Sequence, residues 1–398
     1  MPEHKALKGK YRMEQILVLS RHNLRSPLSG RGSVTARITP HEWFHWTSGP
    51  SELSRKGAVL ETMMGQFFCT WLSGEDFIDK NWRPSEGEVR IYANSRQRTL
   101  ATAKYFSAGM FPVAALPVES HCAFGEMDPV FHPQITTEDE AFLSRARHEI
   151  DSVAGAKGLA YAAESLSDNL SLLAKVLDIR KSPAAQNDTL GFRTDDAAVT
   201  LGYYEEPAMT GGLKMAATAV DALSLQYYED AASGRRLFGH RVSREEVGRI
   251  DAIKDLYHRI LFGAPCVAAH TARPLLKEML SELRTPGRRF TFLCGHDSNI
   301  LTVLTSMDAC PYSAPNTIEK LTPIGGKLVI IKWKDASGEE FADLHLVYAG
   351  DLQVRYSEPL DMDNPPQSLK LYLEGLDTNE DGLYRLADLE ARFERAIR

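Results

Sequence analysis

The sequence has no paired cysteines, no long apolar run and no block of basic residues, and each absence excludes a class of protein. The five cysteines are scattered and form no C-x-x-C pair, so we expect free, mostly buried thiols rather than a disulfide framework or a zinc site. No apolar stretch reaches the length of a transmembrane helix. The net charge of −7 is spread over both signs, which argues against nucleic acid or an acidic membrane as the main partner. The five cysteines are Cys69, Cys122, Cys266, Cys294 and Cys310.

Two further features bound the size and the compartment of the protein. The start of the chain, residues 1–15, contains no apolar segment of the kind found in signal peptides, which by itself indicates a cytoplasmic protein. With 398 residues, of which 43% are apolar, the chain can bury a large core. It is long enough for two domains or for one domain with a large insertion.

The distribution of apolar residues predicts an α/β fold with a mostly parallel sheet flanked by helices. Short β-branched and aromatic runs occupy the first and last thirds of the chain, whereas the middle carries helical patterns. We expect an α/β domain in two parts, 1–136 and 286–398, separated by an inserted helical cap, 137–285. The predicted strands of the parallel core are 15–20, 88–93 and 289–294.

Each of these three strands ends in charged or imidazole side chains. Arg21, His22 and Arg25 follow the first, Arg98 follows the second, and His296 and Asp297 follow the third. Because ligands of open α/β sheets bind outside the carboxyl ends of the strands, we expect these six residues to meet in one pocket.

The chemistry of such a pocket is that of phosphoryl transfer. Three arginines and a histidine neutralise a phosphate, and a second histidine kept neutral by the surrounding charge can act as the nucleophile. An alcohol leaving group needs a proton, which Asp297 can supply. We therefore expect neither a metal nor another cofactor.

The motifs at these strand ends resemble the histidine acid phosphatase branch of the phosphoglycerate-mutase-like superfamily. R-H-N-L-R-S-P at 21–27 and G-H-D-S-N at 295–299 are similar to the paired R-H-G-x-R-x-P and H-D motifs of that family. Asn23 and Leu24 depart from the family pattern and make the chain most similar to bacterial glucose-1-phosphatases, which are relatives of the phytases. Further matching segments are 92–99, 125–133, 205–214 and 322–328.

The resemblance implies a role for each matched residue. His22 would be the phosphorylated nucleophile and Asp297 the general acid, and Glu206 would lie at the sugar side of the cleft. It also implies a periplasmic protein if the chain is a processed form, although secreted relatives commonly carry paired cysteines that are absent here. The residues that would bind the phosphate are Arg21, Arg25, Arg98 and His296.

Three functions follow from these features. We expect an acid phosphomonoesterase that hydrolyses a small sugar phosphate, with glucose 1-phosphate favoured, through a phosphohistidine. The first alternative is a phytase or inositol polyphosphate phosphatase with the same chemistry. The second is a mutase or a non-catalytic phosphate-binding relative. The acidic chain, with Leu24 and Glu206 near the substrate, favours the small sugar over a polyanion.

Overall fold

The chain folds around a seven-stranded mixed sheet in the order β10-β9-β8-β1-β7-β2, with β11 paired to β9. The computed structural model describes residues 7–28, 34–162, 164–186, 192, 196–234 and 236–398. The strands in this part of the chain are β1 (Tyr11–Arg21), β2 (Val89–Ala93), β3 (Ala198–Thr200), β4 (Ala208–Thr210), β5 (Arg236–Leu237), β6 (His240–Arg241), β7 (Phe290–Gly295), β8 (Lys327–Asp335), β9 (Glu340–Tyr348), β10 (Gln367–Leu371) and β11 (Tyr384–Arg385). The helices are α1 (Val34–Arg37), α2 (Arg55–Gly74), α3 (Gln97–Met110), α4 (Glu140–Ala154), α5 (Ser167–Val176), α6 (Pro183–Gln186), α7 (Gly212–Glu229), α8 (Arg244–Phe262), α9 (Pro265–Arg284), α10 (Asp297–Ser306), α11 (Asp351–Tyr356) and α12 (Leu386–Ile397).

Three adjacent strands, β1, β7 and β2, pair parallel. Leu293 of β7 lies between Leu19 of β1 and Tyr92 of β2. Because the three strands run in the same direction, their carboxyl ends lie side by side at one edge of the sheet. The structure confirms the three strands predicted at 15–20, 88–93 and 289–294.

The other half of the sheet is antiparallel. Strand β8 pairs with β1 and β9, and β10 and β11 both pair with β9. The antiparallel pair β8–β9 extends the sheet away from the three strand ends. The predicted α/β class with helices flanking the sheet is confirmed, and among the strands that the structure describes in this sheet only β1, β7 and β2 pair parallel.

Helices cover both faces of β1, which explains its continuous apolar sequence. Ile16 and Val18 pack into one core with α2 and α3, whereas Leu17 and Leu19 pack into a second core with α9, α10 and α12. Successive residues of a strand point to opposite faces, so a strand buried on both faces needs apolar residues at every position.

The middle of the chain contains helices and two small hairpins. Helices α4, α5, α7 and α8 are the main elements, as the helical patterns predicted. The hairpins β3–β4 and β5–β6 were not predicted, because their strands are only two or three residues long. We retain the helical cap at 137–285, inserted in an α/β domain, as a proposal. Helix α9 begins in the first core, with Cys266 and Val267, and continues into the second.

The cysteines are free, as expected, but fewer of them are buried than the sequence predicted. All five cysteines are free thiols; Cys266 and Cys294 are buried and the other three are half-buried. In the part of the chain that the structure describes, we find no helix long and apolar enough to span a bilayer.

Candidate active site

The loops after β1, β2 and β7 are joined to one another at the carboxyl edge of the sheet. The His22 backbone N–H donates to the Gly295 carbonyl at 3.0 Å, and the Asn94 N–H donates to the Cys294 carbonyl at 3.0 Å. These bonds hold His22 beside His296, with ring centroids 5.6 Å apart. The strand ends that the sequence analysis selected therefore meet at one place.

His22 presents a lone pair to the pocket. Its Nδ1 lies 2.9 Å from the Asn23 carbonyl oxygen, which can only accept a hydrogen bond, so Nδ1 carries the proton and Nε2 remains unprotonated. Burial and the charges of Arg98 and Arg25 hold the pKa of His22 well below its usual value. The imidazole is therefore neutral, with a nucleophilic Nε2.

Asn94 fixes the tautomer of His296. The Asn94 Oδ1 accepts the backbone N–H groups of Ser95 at 2.8 Å and Asp128 at 2.9 Å, so its Nδ2 donates to His296 Nε2 at 2.7 Å. The proton of the neutral His296 ring is then on Nδ1. Arg98 Nη2 lies 3.4 Å from that nitrogen, and two donors so placed can share an anionic acceptor.

Arg21 is anchored by buried acceptors. Its Nη1 donates to Glu319 Oε1 at 2.7 Å and to the Thr322 carbonyl at 2.5 Å, and its Nη2 lies 3.2 Å from Asp297 Oδ2. Lys254 Nζ also binds Glu319 Oε1, at 2.8 Å. Burial would raise the pKa of Glu319, but Arg21 and Lys254 lower it to about 2, so this carboxylate is a permanent counterion.

Arg25 is buried and partly neutralised by a carboxylate, whereas Arg98 is half-buried and binds a neutral hydroxyl group. Arg25 donates to the Ser26 carbonyl at 3.0 Å and lies 3.2 Å from an Asp221 oxygen. Arg98, in the first turn of α3, donates to Ser51 Oγ at 2.7 Å. Burial and the neighbouring Arg25 lower the pKa of Arg98 to about 10, and the side chain remains charged.

Asn23, one of the two departures from the family motif, anchors the loop after β1. Its Nδ2 donates to Glu61 Oε2 at 2.7 Å, and its Oδ1 accepts the Leu24 N–H at 2.8 Å. Glu61 is in turn paired with Lys327 at 2.7 Å, and both side chains are fully buried. The asparagine is therefore part of the scaffold that holds His22, one residue before it.

Asp297 is the first residue of α10. Its Oδ1 accepts the Ser298 N–H at 2.9 Å, and its Oδ2 faces Arg21. Burial would raise the pKa of Asp297, but Arg21, His258 and His22 together hold it well below its usual value. Without substrate, Asp297 is an ionised carboxylate at the edge of the cationic cluster.

Glu206 lies at the outer side of the same cleft. Its Oε1 is 3.5 Å from His132 Nε2, and its side chain is 42% exposed, so a ligand can reach it. Partial burial and Asp297 raise the pKa of Glu206, whereas Arg98 opposes this. Burial and Glu206 also raise the pKa of Tyr257 to about 12, so a neutral phenol lines this side.

This arrangement suits a tetrahedral anion. Three guanidinium groups and the His296 N–H surround an imidazole whose free lone pair faces them. A phosphoryl group bound there would find a nucleophile, charge neutralisation and an adjacent carboxyl group at one place.

The residues that orient and neutralise this cluster were not predicted from the sequence. Asn94 lies in the segment 92–99 that matches the family, where an asparagine just after a strand was a usable signal. No such signal marked Asp221, Lys254 and Glu319. Helical periodicity or a loop sequence does not reveal which distant group a polar side chain contacts.

Comparison with known proteins identifies relatives of this chain and structures with the same fold. The family model of the histidine phosphatase superfamily (branch 2) matches residues 12–156. The chain is 34% identical over 377 residues to a glucose-1-phosphatase of Salmonella typhimurium, covering 94% of this chain and 89% of that protein. It is 33% identical over 392 residues to a glucose-1-phosphatase of Providencia rettgeri, covering 97% and 92%. Among solved structures, an apo phytase of Hafnia alvei superposes with a TM-score of 0.88 at 22% identity, covering 98% of both chains.

Proposed function

The chain belongs to branch 2 of the histidine phosphatase superfamily, and from this membership and the pocket we propose that it hydrolyses a small sugar phosphate, with glucose 1-phosphate favoured, through a phosphohistidine. The observation that carries the proposal is the unprotonated His22 Nε2 among three arginines and the His296 N–H. The relatives named glucose-1-phosphatase support the choice of sugar phosphate.

The first chemical step is attack of His22 on phosphorus. The Nε2 lone pair forms the N–P bond while the P–O bond to the sugar breaks, and Asp297 transfers a proton to the departing oxygen. Arg21, Arg25 and Arg98 stabilise the charge on the three remaining phosphoryl oxygens. In the second step water attacks phosphorus, its proton returns to Asp297, and inorganic phosphate leaves His22 as a free imidazole.

Asp297 must be protonated to act as an acid, although its pKa is low in the free pocket. The lowering comes chiefly from Arg21, and a bound phosphate places negative charge beside that cation. That charge raises the pKa of Asp297 in the complex. Hydrolysis is therefore expected to be fastest at acid pH.

Carboxylates at the pocket favour a singly phosphorylated sugar over an inositol polyphosphate. Glu206 can accept hydrogen bonds from sugar hydroxyls, and Asp221 already partly neutralises Arg25. Both would repel the additional phosphates of a polyanion. The Hafnia alvei phytase shares the fold, so the phytase alternative is the one to test against.

A substrate panel at acid pH tests the proposal. We expect kcat/KM to be higher for glucose 1-phosphate than for phytate, with glucose 6-phosphate and p-nitrophenyl phosphate as references. A preference of tenfold or more for phytate, about 1.4 kcal/mol in transition-state binding, would instead assign the protein to the phytases.

Glu206→Gln tests the sugar side of the pocket. The variant should alter selectivity among sugar phosphates more than the activity on p-nitrophenyl phosphate, because only the sugar offers hydroxyl groups. Glu205→Gln is the matched control, since Glu205 is the exposed neighbour in the same segment. An equal loss of activity on all substrates would show that Glu206 supports the structure of the pocket and does not contact the sugar.

A further inference from the structure

A cluster of side chains that can ligate a metal lies outside the phosphate pocket. His41 Nε2 is 2.8 Å and His240 Nε2 is 2.9 Å from the same carboxylate oxygen, Oδ2 of Asp178. The three residues come from segments far apart in the sequence: the stretch after α1, the residue before the 3₁₀ turn Ile179–Lys181, and strand β6. We propose that His41, Asp178 and His240 form a zinc site that ties these three segments together.

The ligand set and its geometry suit Zn²⁺. Two imidazole nitrogens and one carboxylate oxygen are ligands that zinc prefers, and a water can complete a tetrahedron. The three ligand atoms lie within 4.8 Å of one another. Zinc–ligand bonds of about 2.0–2.1 Å place tetrahedral ligand atoms roughly 3.3 Å apart. The two distances from Asp178 Oδ2 to the histidine nitrogens, 2.8 and 2.9 Å, would therefore lengthen by a few tenths of an ångström on binding.

The site is both reachable and held in place. The side chains of His41, Asp178 and His240 are 31%, 18% and 30% exposed, which leaves a path for an ion from solvent. Lys181 Nζ binds the other oxygen, Oδ1 of Asp178, at 3.0 Å and so leaves Oδ2 for the metal. An outer partner of this kind fixes the orientation of a ligating carboxylate.

Aromatic packing fixes the His41 ring. It stacks on Phe238 with centroids 5.1 Å apart and an interplanar angle of 9°, and Phe238 meets Trp43 edge-on at 5.0 Å. His41 is therefore oriented by the β5–β6 hairpin that also carries His240. To bind zinc through Nε2, each neutral ring must carry its proton on Nδ1.

The metal would stabilise the wall beside the phosphate pocket. His41 lines a cavity of about 580 Å³ together with Trp43, Trp46, Ser26 and Ala222. Ser26 follows Arg25 and Ala222 follows Asp221, so this wall adjoins the anion-binding arginine. The proposed ion would anchor the tryptophan-bearing segment to the helical middle and take no part in phosphoryl transfer.

Zinc titration of the metal-free full-length protein tests the proposal. After chelator dialysis, calorimetry with ZnCl₂ at pH 7.5 should show one ion per chain, and Tm should rise by several degrees, whereas MgCl₂ and CaCl₂ should leave it unchanged. His240→Ala and Asp178→Asn should each weaken zinc binding at least tenfold.

His45→Ala is the matched control, because His45 is an exposed histidine four residues from His41 and outside the cluster. It should bind zinc as the wild type does. Equal zinc affinity in His240→Ala and the wild type, or loss of affinity in His45→Ala alone, would overturn the site. Should Asp178→Asn fail to fold, His240→Gln provides the same comparison.

An anomalous peak between the three ligand atoms in a zinc-soaked crystal would locate the ion directly, and a peak elsewhere alone would refute the assignment. Activity of the metal-free protein on p-nitrophenyl phosphate tests the phosphatase proposal separately.

Discussion

At the scale of single residues, the two pocket histidines share a tautomer and use it in opposite ways. Both carry the neutral-ring proton on Nδ1. In His22 that proton is bound by the Asn23 carbonyl, so the lone pair is offered to phosphorus. In His296 the Nε2 lone pair accepts a hydrogen bond from the Asn94 amide, so Nδ1–H is available to donate to a ligand beside Arg98. One ring is therefore equipped to attack a phosphate and the other to bind it.

Asn94→Asp tests the role of this amide. The substitution keeps Oδ1 for the two backbone N–H groups but replaces the amide donor by an acceptor. At acid pH, His296 takes up a second proton and still donates through Nδ1. As the pH rises, the ring loses a proton and keeps the one on Nε2, which binds the new carboxylate.

The donor toward the substrate is then lost, and removal of one such donor typically costs 10²–10³-fold in rate. We therefore expect kcat/KM of the variant to fall increasingly below that of the wild type as the pH is raised. Inhibition by inorganic phosphate should weaken over the same pH range. A pH profile parallel to the wild type would contradict the assigned tautomer.

Asp297→Asn separates the acid from the nucleophile. A sugar alkoxide leaves poorly without a proton, and protonation is typically worth 10²–10⁴-fold, whereas p-nitrophenolate needs little help. The variant should lose most activity on alkyl phosphates and retain much more on p-nitrophenyl phosphate. His22→Ala should abolish turnover of both.

The pH profile and a folding control complete this test. The alkaline limb of kcat should flatten in Asp297→Asn, because that limb reports loss of the proton from the acid. Asparagine keeps Oδ1 for the Ser298 N–H, so thermal melting should show a folded protein. Equal loss on both substrates would remove Asp297 from the acid role.

At the scale of elements, α2 and α3 pack closely enough that their backbones touch through glycine. A Cβ on Gly109 would lie 2.2 Å from the Thr62 carbonyl oxygen, and one on Gly65 would lie 2.2 Å from the Phe106 carbonyl oxygen. This contact positions α3, whose first turn carries Arg98. This close contact could not be predicted from the sequence, since glycine in a helix costs about 1 kcal/mol relative to alanine without such packing.

Gly109→Ala should therefore destabilise the fold although alanine favours helix. The added methyl group must push α3 away from α2, and overpacking of this kind costs about 1–3 kcal/mol. Gly248→Ala in α8 is the matched control, because no atom lies within 4 Å of its added Cβ. That variant should gain about 0.5–1 kcal/mol. Chemical denaturation measures both, and a gain in Gly109→Ala would refute the close contact.

At the scale of the whole molecule, the strand ends of the pocket were predictable and their counterions were not. Parallel strands deliver their carboxyl ends to one edge, so three apolar runs followed by Arg or His predicted the meeting of His22 and His296. Glu319 lies in a loop and Lys254 lies on the buried face of α8. A charged residue on a buried helix face departs from the usual apolar composition of such a face. Only the three-dimensional contacts explain why they are buried: Glu319 pairs with Arg21, and Lys254 pairs with Glu319.

A buried carboxyl group near Lys254, that of Asp255, also makes the stability of the fold depend on pH. Burial and the nearby Asp251 raise the pKa of Asp255 on α8 to about 7, although Lys254 opposes the shift. Between the ordinary carboxyl pKa of 3.8 and about 7, the folded state then holds a proton that the unfolded chain has lost. Stability consequently decreases as the pH rises through this window, by at most about 4 kcal/mol from this group.

Asp255→Asn removes that dependence, because the amide resembles the protonated carboxyl group at every pH. We expect the variant to match the wild type near pH 4 and to exceed its free energy of unfolding at pH 7–8, measured by urea denaturation across the range. The Asp255 Oδ2 that accepts the Lys320 N–H, at 3.2 Å, has an equivalent in the amide oxygen of asparagine, so the fold should persist. Asp168→Asn on the exposed face of α5 is the control and should follow the wild-type pH curve. A variant that is less stable than the wild type at pH 7–8, with an unchanged slope between pH 4 and 7, would show that Asp255 is ionised in the fold and is held there by Lys254.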